Sequence, residues 1–231
     1  MKKIRRILLG MMIMLLGMNV IAADNLSERE RNIVLISAFT ANGDLDKLEK
    51  AVSSGLDAGL SINEIKESMV QLYAYCGFPR SLNALTTLLN VTKERSEKGI
   101  ADEVGKTATP LAENTNIYEL GTKVQTELVG APVQGELYTF SPEADKYLKT
   151  HLFGDIFSSD VLDYKTRELV TVGALSAMEG VNPQLQAHMT MSQNAGVTPE
   201  GLEEVAALLK DSVGRKEARN YNKVLDNVLK R

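Results

Sequence analysis

Apolar residues along this chain recur at intervals of three and four, the repeat of an amphipathic helix, and no run alternates with the two-residue repeat of a strand. Ile33, Val34, Ile36 and Ala38 supply one side of a first helix over residues 26–41. Ser27 and Glu30 stand at its start with the S-x-x-E spacing of a capping box. Asn42-Gly43-Asp44 reads as a turn, and a second helix runs over residues 45–58 to a stop at Gly59. Ser61 and Glu64 repeat the capping spacing ahead of a third helix, on which Ile65, Met69, Leu72 and Tyr73 share a stripe. Glycine and proline punctuate helices, so Cys76-Gly77-Phe78-Pro79 breaks the third. Leu82, Leu85, Leu88 and Leu89 mark a fourth, which fades into the charged run Lys93–Lys98. The predicted class is all-α.

The same order of events then recurs. At an offset of 136, Leu26, Arg31, Val34, Ala38 and Ala41 meet identical residues at Leu162, Arg167, Val170, Ala174 and Ala177. At an offset of 137, Ala58-Gly59-Leu60-Ser61 meets Ala195-Gly196-Val197-Thr198, and Glu67, Leu72, Gly77 and Asn83 meet Glu204, Leu209, Gly214 and Asn220. The one-residue change falls between the first two helices, where a loop absorbs it. A four-helix unit has been duplicated, with a first repeat over 24–98, a second over 161–231, and a linker over 99–160. Ile117 to Gly130 and Pro142 to Leu152 read as two helices inside that linker.

The second repeat is the more pronounced. Asp163 or Tyr164 opens a helix whose inward side carries Leu169, Val170, Val172, Gly173 and Leu175. Gly180, Asn182 and Pro183 end it and start the next. There Leu185, His188, Met189 and Ser192 fall at i, i+3, i+4 and i+7, so the histidine lies on the inward stripe. Gly196 takes the C′ position, where a positive φ suits glycine, and Thr198 with Pro199 opens the next helix.

Composition adds an address and excludes some partners. Lys2, Lys3, Arg5 and Arg6 precede the apolar run Ile7 to Ile21, and Ala22-Ala23 offers a cleavage site, so residues 1–23 read as a secretory signal peptide. Its removal takes four of the 26 basic residues and none of the 30 acidic ones, so the net charge of −4 becomes −8. The expected product is exported, periplasmic and without a membrane anchor after cleavage. An acidic chain with no tryptophan is a poor match to nucleic acid. The single cysteine, Cys76, excludes an internal disulfide framework.

Leu162-Asp163, Thr166-Arg167-Glu168-Leu169, His188 and Asn194-Ala195-Gly196-Val197-Thr198, with Phe153-Gly154-Asp155-Ile156-Phe157 upstream, resemble the carboxymuconolactone decarboxylase family of the alkylhydroperoxidase D-like superfamily. The resemblance covers both repeats. It implies two tandem helical repeats packed on each other as an internal pseudo-dimer. Since short relatives dimerise and gather around a threefold axis, it also implies a homo-oligomer, a trimer of two-repeat chains. It further implies cofactor-free acid/base chemistry on a small carboxylated lactone or related acid.

Each repeat keeps the half of a site that the other has lost. The second has Glu168 and His188 where the first has Asn32 and Ala51. The first has Tyr75-Cys76-Gly77-Phe78-Pro79, which resembles the family's Tyr-Cys-Gly-Pro turn, where the second has Ser212-Val213-Gly214-Arg215-Lys216. If the halves meet, one composite site results. Histidine titrates near neutral pH and can give or take a proton, and a carboxylate can orient it. In that site His188 would protonate the carbon left when CO₂ departs and Glu168 would hold the imidazole. Cys76 or Tyr75 would line the pocket. Arg167 either grips a substrate carboxylate or forms an ion pair, as its recurrence at Arg31 suggests.

Two other classes stay open: a thiol-dependent peroxidase at Cys76, and a binding protein that has kept the fold. The superfamily's dithiol branch carries Cys-x-x-Cys shortly before the histidine, whereas Val181 and Gln184 occupy those positions here. No metal is implied, because His151 and His188 are far apart and no H-x-x-x-H spacing occurs.

Overall fold

A computed structural model describes residues 25–230, and those residues form helices and connections without a strand. The leader expected over residues 1–23 lies outside the described residues. The first half consists of α1 (Glu28–Asn42), α2 (Leu45–Asp57), α3 (Ile62–Gln71) and α4 (Tyr73–Glu97). Between the halves lie α5 (Ile117–Val129), α6 (Glu136–Phe140), α7 (Pro142–Tyr147) and a π-helical segment, Leu148–Ile156. The second half contains α8 (Tyr164–Ser176), α9 (Asn182–Asn194), α10 (Pro199–Leu208), a π-helical turn at Leu209–Val213, and α11 (Arg215–Leu229).

Local signals set the helix starts. Both capping boxes form: Ser27 accepts from the Glu30 amide and Ser61 from the Glu64 amide, and each glutamate reaches back to its cap. Asp163 caps α8 by accepting from Thr166, and Thr198 caps α10 by accepting from Gly201. These contacts occupy amide donors that a helix start would otherwise leave unpaired.

The two halves share one core. α1 and α8 are its central pair, buried on nearly every side, and their buried positions include polar residues, Asn32, Ser37 and Thr40 on α1 and Arg167, Glu168, Thr171 and Ser176 on α8. Their approach is close enough that a Cβ at Gly173 would stand 2.6 Å from the carbonyl oxygen of Val34. Val34 and Val170 are equivalent in the two repeats, and both are fully buried, each burial contributing roughly 1.5–3 kcal/mol.

Ion pairs show the symmetry of the packing. Arg31 on α1 holds Glu204 on α10 at 2.5 Å. Its counterpart Arg167 on α8 holds Glu67 on α3 at 2.7 Å. The same arginine–glutamate contact is thus made in both directions across the repeat boundary. Reciprocity of this kind is what a twofold interface between like units produces. The chain is an internal pseudo-dimer.

The intervening helices build a second, smaller cluster beside that core. Val124, Leu128, Leu152, Phe153, Ile156, Phe157 and Met191 are buried in it, with Tyr73 and Tyr75 packed on its edge. The sequence predicts one helix from Pro142 to Leu152. The helix instead widens into π geometry after Tyr147 and continues to Ile156. There, α5 lies almost backbone to backbone on it: a Cβ at Gly121 would meet the Lys149 carbonyl oxygen, and one at Gly154 would meet that of Ile117. This packing lies between distant segments and leaves no mark in the local repeat of apolar residues.

Candidate active site

The site begins with two helix starts. The Asp163 cap sets the register of α8 and places Glu168 inside, fully buried. Pro183, in the first turn of α9, favours the dihedrals of a helix start, and His188 follows on the buried face at 7% exposure. His188 Nδ1 lies 2.8 Å from Glu168 Oε2. The other oxygen, Oε1, is buried and has no hydrogen-bond partner, so the carboxylate can accept one more donor.

The first half supplies the third group. Gly77 adopts φ 81° and ψ 158°, which interrupts α4 and sets residues 73–76 apart as a turn. Positive φ is where glycine has its advantage. That turn carries Tyr75 across the repeat boundary. The Tyr75 hydroxyl stands 3.5 Å from His188 Nε2, with the rings edge to face at a 5.4 Å centroid separation. Burial, reinforced by the nearby Glu168 charge, raises the Tyr75 phenol far above its ordinary range. Tyr75 is therefore held as a neutral hydrogen-bond donor.

The structure thus brings Tyr75, His188 and Glu168 together, from opposite halves. The mirror positions hold Ser212, Ala51 and Asn32, so only one of the two symmetry-related places carries a histidine and a carboxylate. Cys76 belongs to the same turn but is engaged elsewhere. Its Sγ donates to the Leu72 carbonyl at 3.1 Å, and it packs on the main core. Burial pushes its thiol up to about 11, against an opposing pull from Arg80. We predict slow reaction with a disulfide reagent at pH 7, where roughly one thiol in ten thousand is ionised, and a tenfold faster reaction for each pH unit up to about 11. Stopped-flow thiol titration of the folded protein checks this.

Arg167 lies in the repeat interface with no exposed side-chain surface. Its guanidinium donates to Glu67, to Gln71 Oε1 at 3.0 Å and to the Ser159 carbonyl at 2.8 Å, and lies over the Phe157 ring. Desolvation pulls its pKa down, and the Glu67 contact opposes that. Of the two readings open for Arg167, the geometry matches the ion pair.

Sequence reasoning passed over Gln71 and Thr171. Gln71 Nε2 donates to the Arg167 carbonyl and to Thr171 Oγ1, both at 2.9 Å. The signal was in the duplication: the equivalent residues are Leu208 and Leu35. Among the described residues, no three of histidine, cysteine, aspartate and glutamate are grouped as a metal site would require.

Comparison with known proteins agrees with the duplicated architecture. The carboxymuconolactone decarboxylase family profile matches the chain twice, over residues 9–89 and 142–226. Peroxisomal protein 2 of Saccharomyces cerevisiae is 24% identical over 167 residues, which cover 63% of this chain and 59% of the yeast protein. The chain thus spans less than two thirds of that relative. A 4-carboxymuconolactone decarboxylase of Acinetobacter baylyi is 29% identical over 92 residues, which cover 38% of this chain and 68% of that protein.

Proposed function

The chain belongs to the carboxymuconolactone decarboxylase family, and we propose that its composite site decarboxylates a small carboxylated lactone or a related acid by proton transfer alone. The observation that carries this reading is the buried Glu168–His188 pair at 2.8 Å, with Tyr75 brought to its free edge by the other half of the chain. Glu168 occupies Nδ1, so Nε2 is the nitrogen available to substrate. When the carboxylate leaves as CO₂, its bonding electron pair stays on the substrate as an enolate. The proton on Nε2 then passes to the carbon, and Glu168 stabilises the imidazolium before that transfer. Tyr75, held neutral, can donate to the enolate oxygen, which stabilises charge as it develops. His188 then regains a proton from water, so the proton inventory closes without a cofactor. The name of the Acinetobacter relative supplies the first substrate to test, 4-carboxymuconolactone.

The thiol reading has less support. Cys76 is partly buried, bonded to its own turn and raised to about 11, whereas a peroxidatic thiol works as a thiolate in an electropositive setting. CO₂ release from 4-carboxymuconolactone, measured beside peroxide consumption for the wild type, His188→Gln and Cys76→Ser, separates the two. Loss confined to His188→Gln supports acid/base chemistry, and peroxide turnover lost only in Cys76→Ser overturns it.

Export belongs to the same proposal and rests on the leader. Self-association rests on α4. Phe78, Leu82 and Leu89 are exposed along one face, with Leu85 between them, while the equivalent α11 face presents Arg215, Arg219, Asn222 and Asp226. The fold therefore does not require apolar residues there, and an exposed apolar stripe marks an association surface. In a family whose short members assemble around a threefold axis, the expected occupant is a second copy of this chain. Light scattering should give three times the chain mass for wild type and one for Leu82→Glu/Leu89→Glu. A monomeric wild type removes this part of the proposal.

A further inference from the structure

We infer that Gln125, on the linker helix α5, is a substrate-binding residue of the composite site, its amide donating to the carboxylate that departs as CO₂. The inference deepens the proton-transfer reading above and rests on it.

The buried face of α5 carries Gly121, Val124, Gln125 and Leu128, at i, i+3, i+4 and i+7. Other segments fix both ends of that face. At Gly121 it presses on the π-helical segment, where a Cβ would meet the Lys149 carbonyl oxygen. At the far end the Leu128 carbonyl accepts from Asn194 Nδ2 of α9 at 2.8 Å. Between those points Val124 and Leu128 are buried with Leu152, Phe153 and Met191. Met191 lies one turn along α9 from His188. Tyr75, whose hydroxyl stands 3.5 Å from His188 Nε2, packs on the edge of the same cluster. Gln125 is thus the polar member of an apolar face that borders the composite site. The linker is not duplicated, and α5 packs on α9, the helix that carries the histidine.

Gln125 is 4% exposed, and its Oε1 is buried without a hydrogen-bond partner. An unpaired buried amide oxygen destabilises a fold, and native structures rarely keep one without a use for it. The surrounding cluster is hydrocarbon, aromatic and thioether, so its packing calls for no amide. The use lies with a partner from outside the chain. The two ends of an amide have nearly the same shape, and an oxygen that nothing holds lets the group turn its NH₂ toward that partner. The proposed substrate is an anion, and Arg167 is already taken by Glu67, Gln71 and the Ser159 carbonyl. A neutral donor among apolar side chains suits the reaction better than a cation. The charge leaves the carboxylate as CO₂ forms, so surroundings that solvate charge poorly favour the change.

The test uses the whole chain, with 4-carboxymuconolactone as the probe, and reads binding apart from turnover. Gln125→Met keeps the length of the side chain and removes its hydrogen-bonding ends. Its KM should rise about tenfold with kcat within about twofold of wild type, the pattern of a lost binding contact. Calorimetric titration in the His188→Gln background gives Kd directly, and adding Gln125→Met should raise it about tenfold. Leu128→Met, a change in the same cluster that removes no polar group, should bind the probe as wild type does. Gln125→Met should unfold at the wild-type temperature or higher, because an apolar group replaces an unpaired polar one. A structural amide would instead lower the unfolding temperature and leave Kd in place. That result, or an unchanged Kd at any stability, overturns the inference. If KM rises as expected while His188→Gln still releases CO₂, the binding role stands and the proton-donor reading fails.

Discussion

His188→Gln is expected to lower the rate of CO₂ release by about 10²–10⁴-fold, the usual contribution of a positioned acid or base, and to leave the fold intact. The glutamine amide can still donate to Glu168 Oε2, which His188 Nδ1 contacts at 2.8 Å, so the buried carboxylate keeps a partner. His188→Ala should behave differently. It leaves Glu168 fully buried with neither oxygen paired, since Oε1 already lacks a partner. An unsatisfied buried charged group costs more than the ordinary 1–3 kcal/mol of an orphaned polar group. The alanine variant should therefore lose both activity and stability, and the glutamine variant activity alone. Rate measurement with thermal unfolding on both proteins resolves the two effects.

Arg167→Ala is the substitution expected to cost the fold most, about 3–5 kcal/mol, because it empties the place of a fully buried guanidinium and leaves three hydrogen bonds to a charged group unmade, each worth about 1.5–3 kcal/mol. It strips partners from Glu67, from Gln71 Oε1 and from the Ser159 carbonyl at once. Arg31→Ala breaks the symmetry-related contact to Glu204, where both side chains keep some solvent exposure. Its loss should be smaller, about 1–2 kcal/mol, as for a hydrogen bond to a charged group that water can partly replace. Urea unfolding of the two variants gives the comparison. Equal losses would mean that burial does not separate the two arginines.

The all-helical class, the capping boxes and the duplication were legible because each depends on residues close in sequence or on matches between the repeats. Ser27, Ser61, Asp163 and Thr198 each announce a helix start through contacts within one turn. The site was legible in part. Glu168 and His188 stood out as chemistry on apolar stripes, and Tyr75 could be only conditionally joined to them, because its place depends on how one repeat docks on the other. Arg167 admitted two roles, and Arg31 was the clue to the one the structure shows. Gln71 and Thr171 were hidden because single polar residues on buried helix faces look unremarkable, unless the two repeats are compared position by position. The π-helical stretch before α8 was not legible at all: it accompanies α5 pressed against Gly154 and Lys149, a contact between segments far apart in the chain.

The composite site is tested most directly by CO₂ release from 4-carboxymuconolactone by the purified chain, compared among wild type, His188→Gln and Cys76→Ser. The composite site predicts turnover by wild type and Cys76→Ser alike, with at least a hundredfold loss in His188→Gln. No release from folded wild-type protein, or release that survives His188→Gln and disappears in Cys76→Ser, would contradict it.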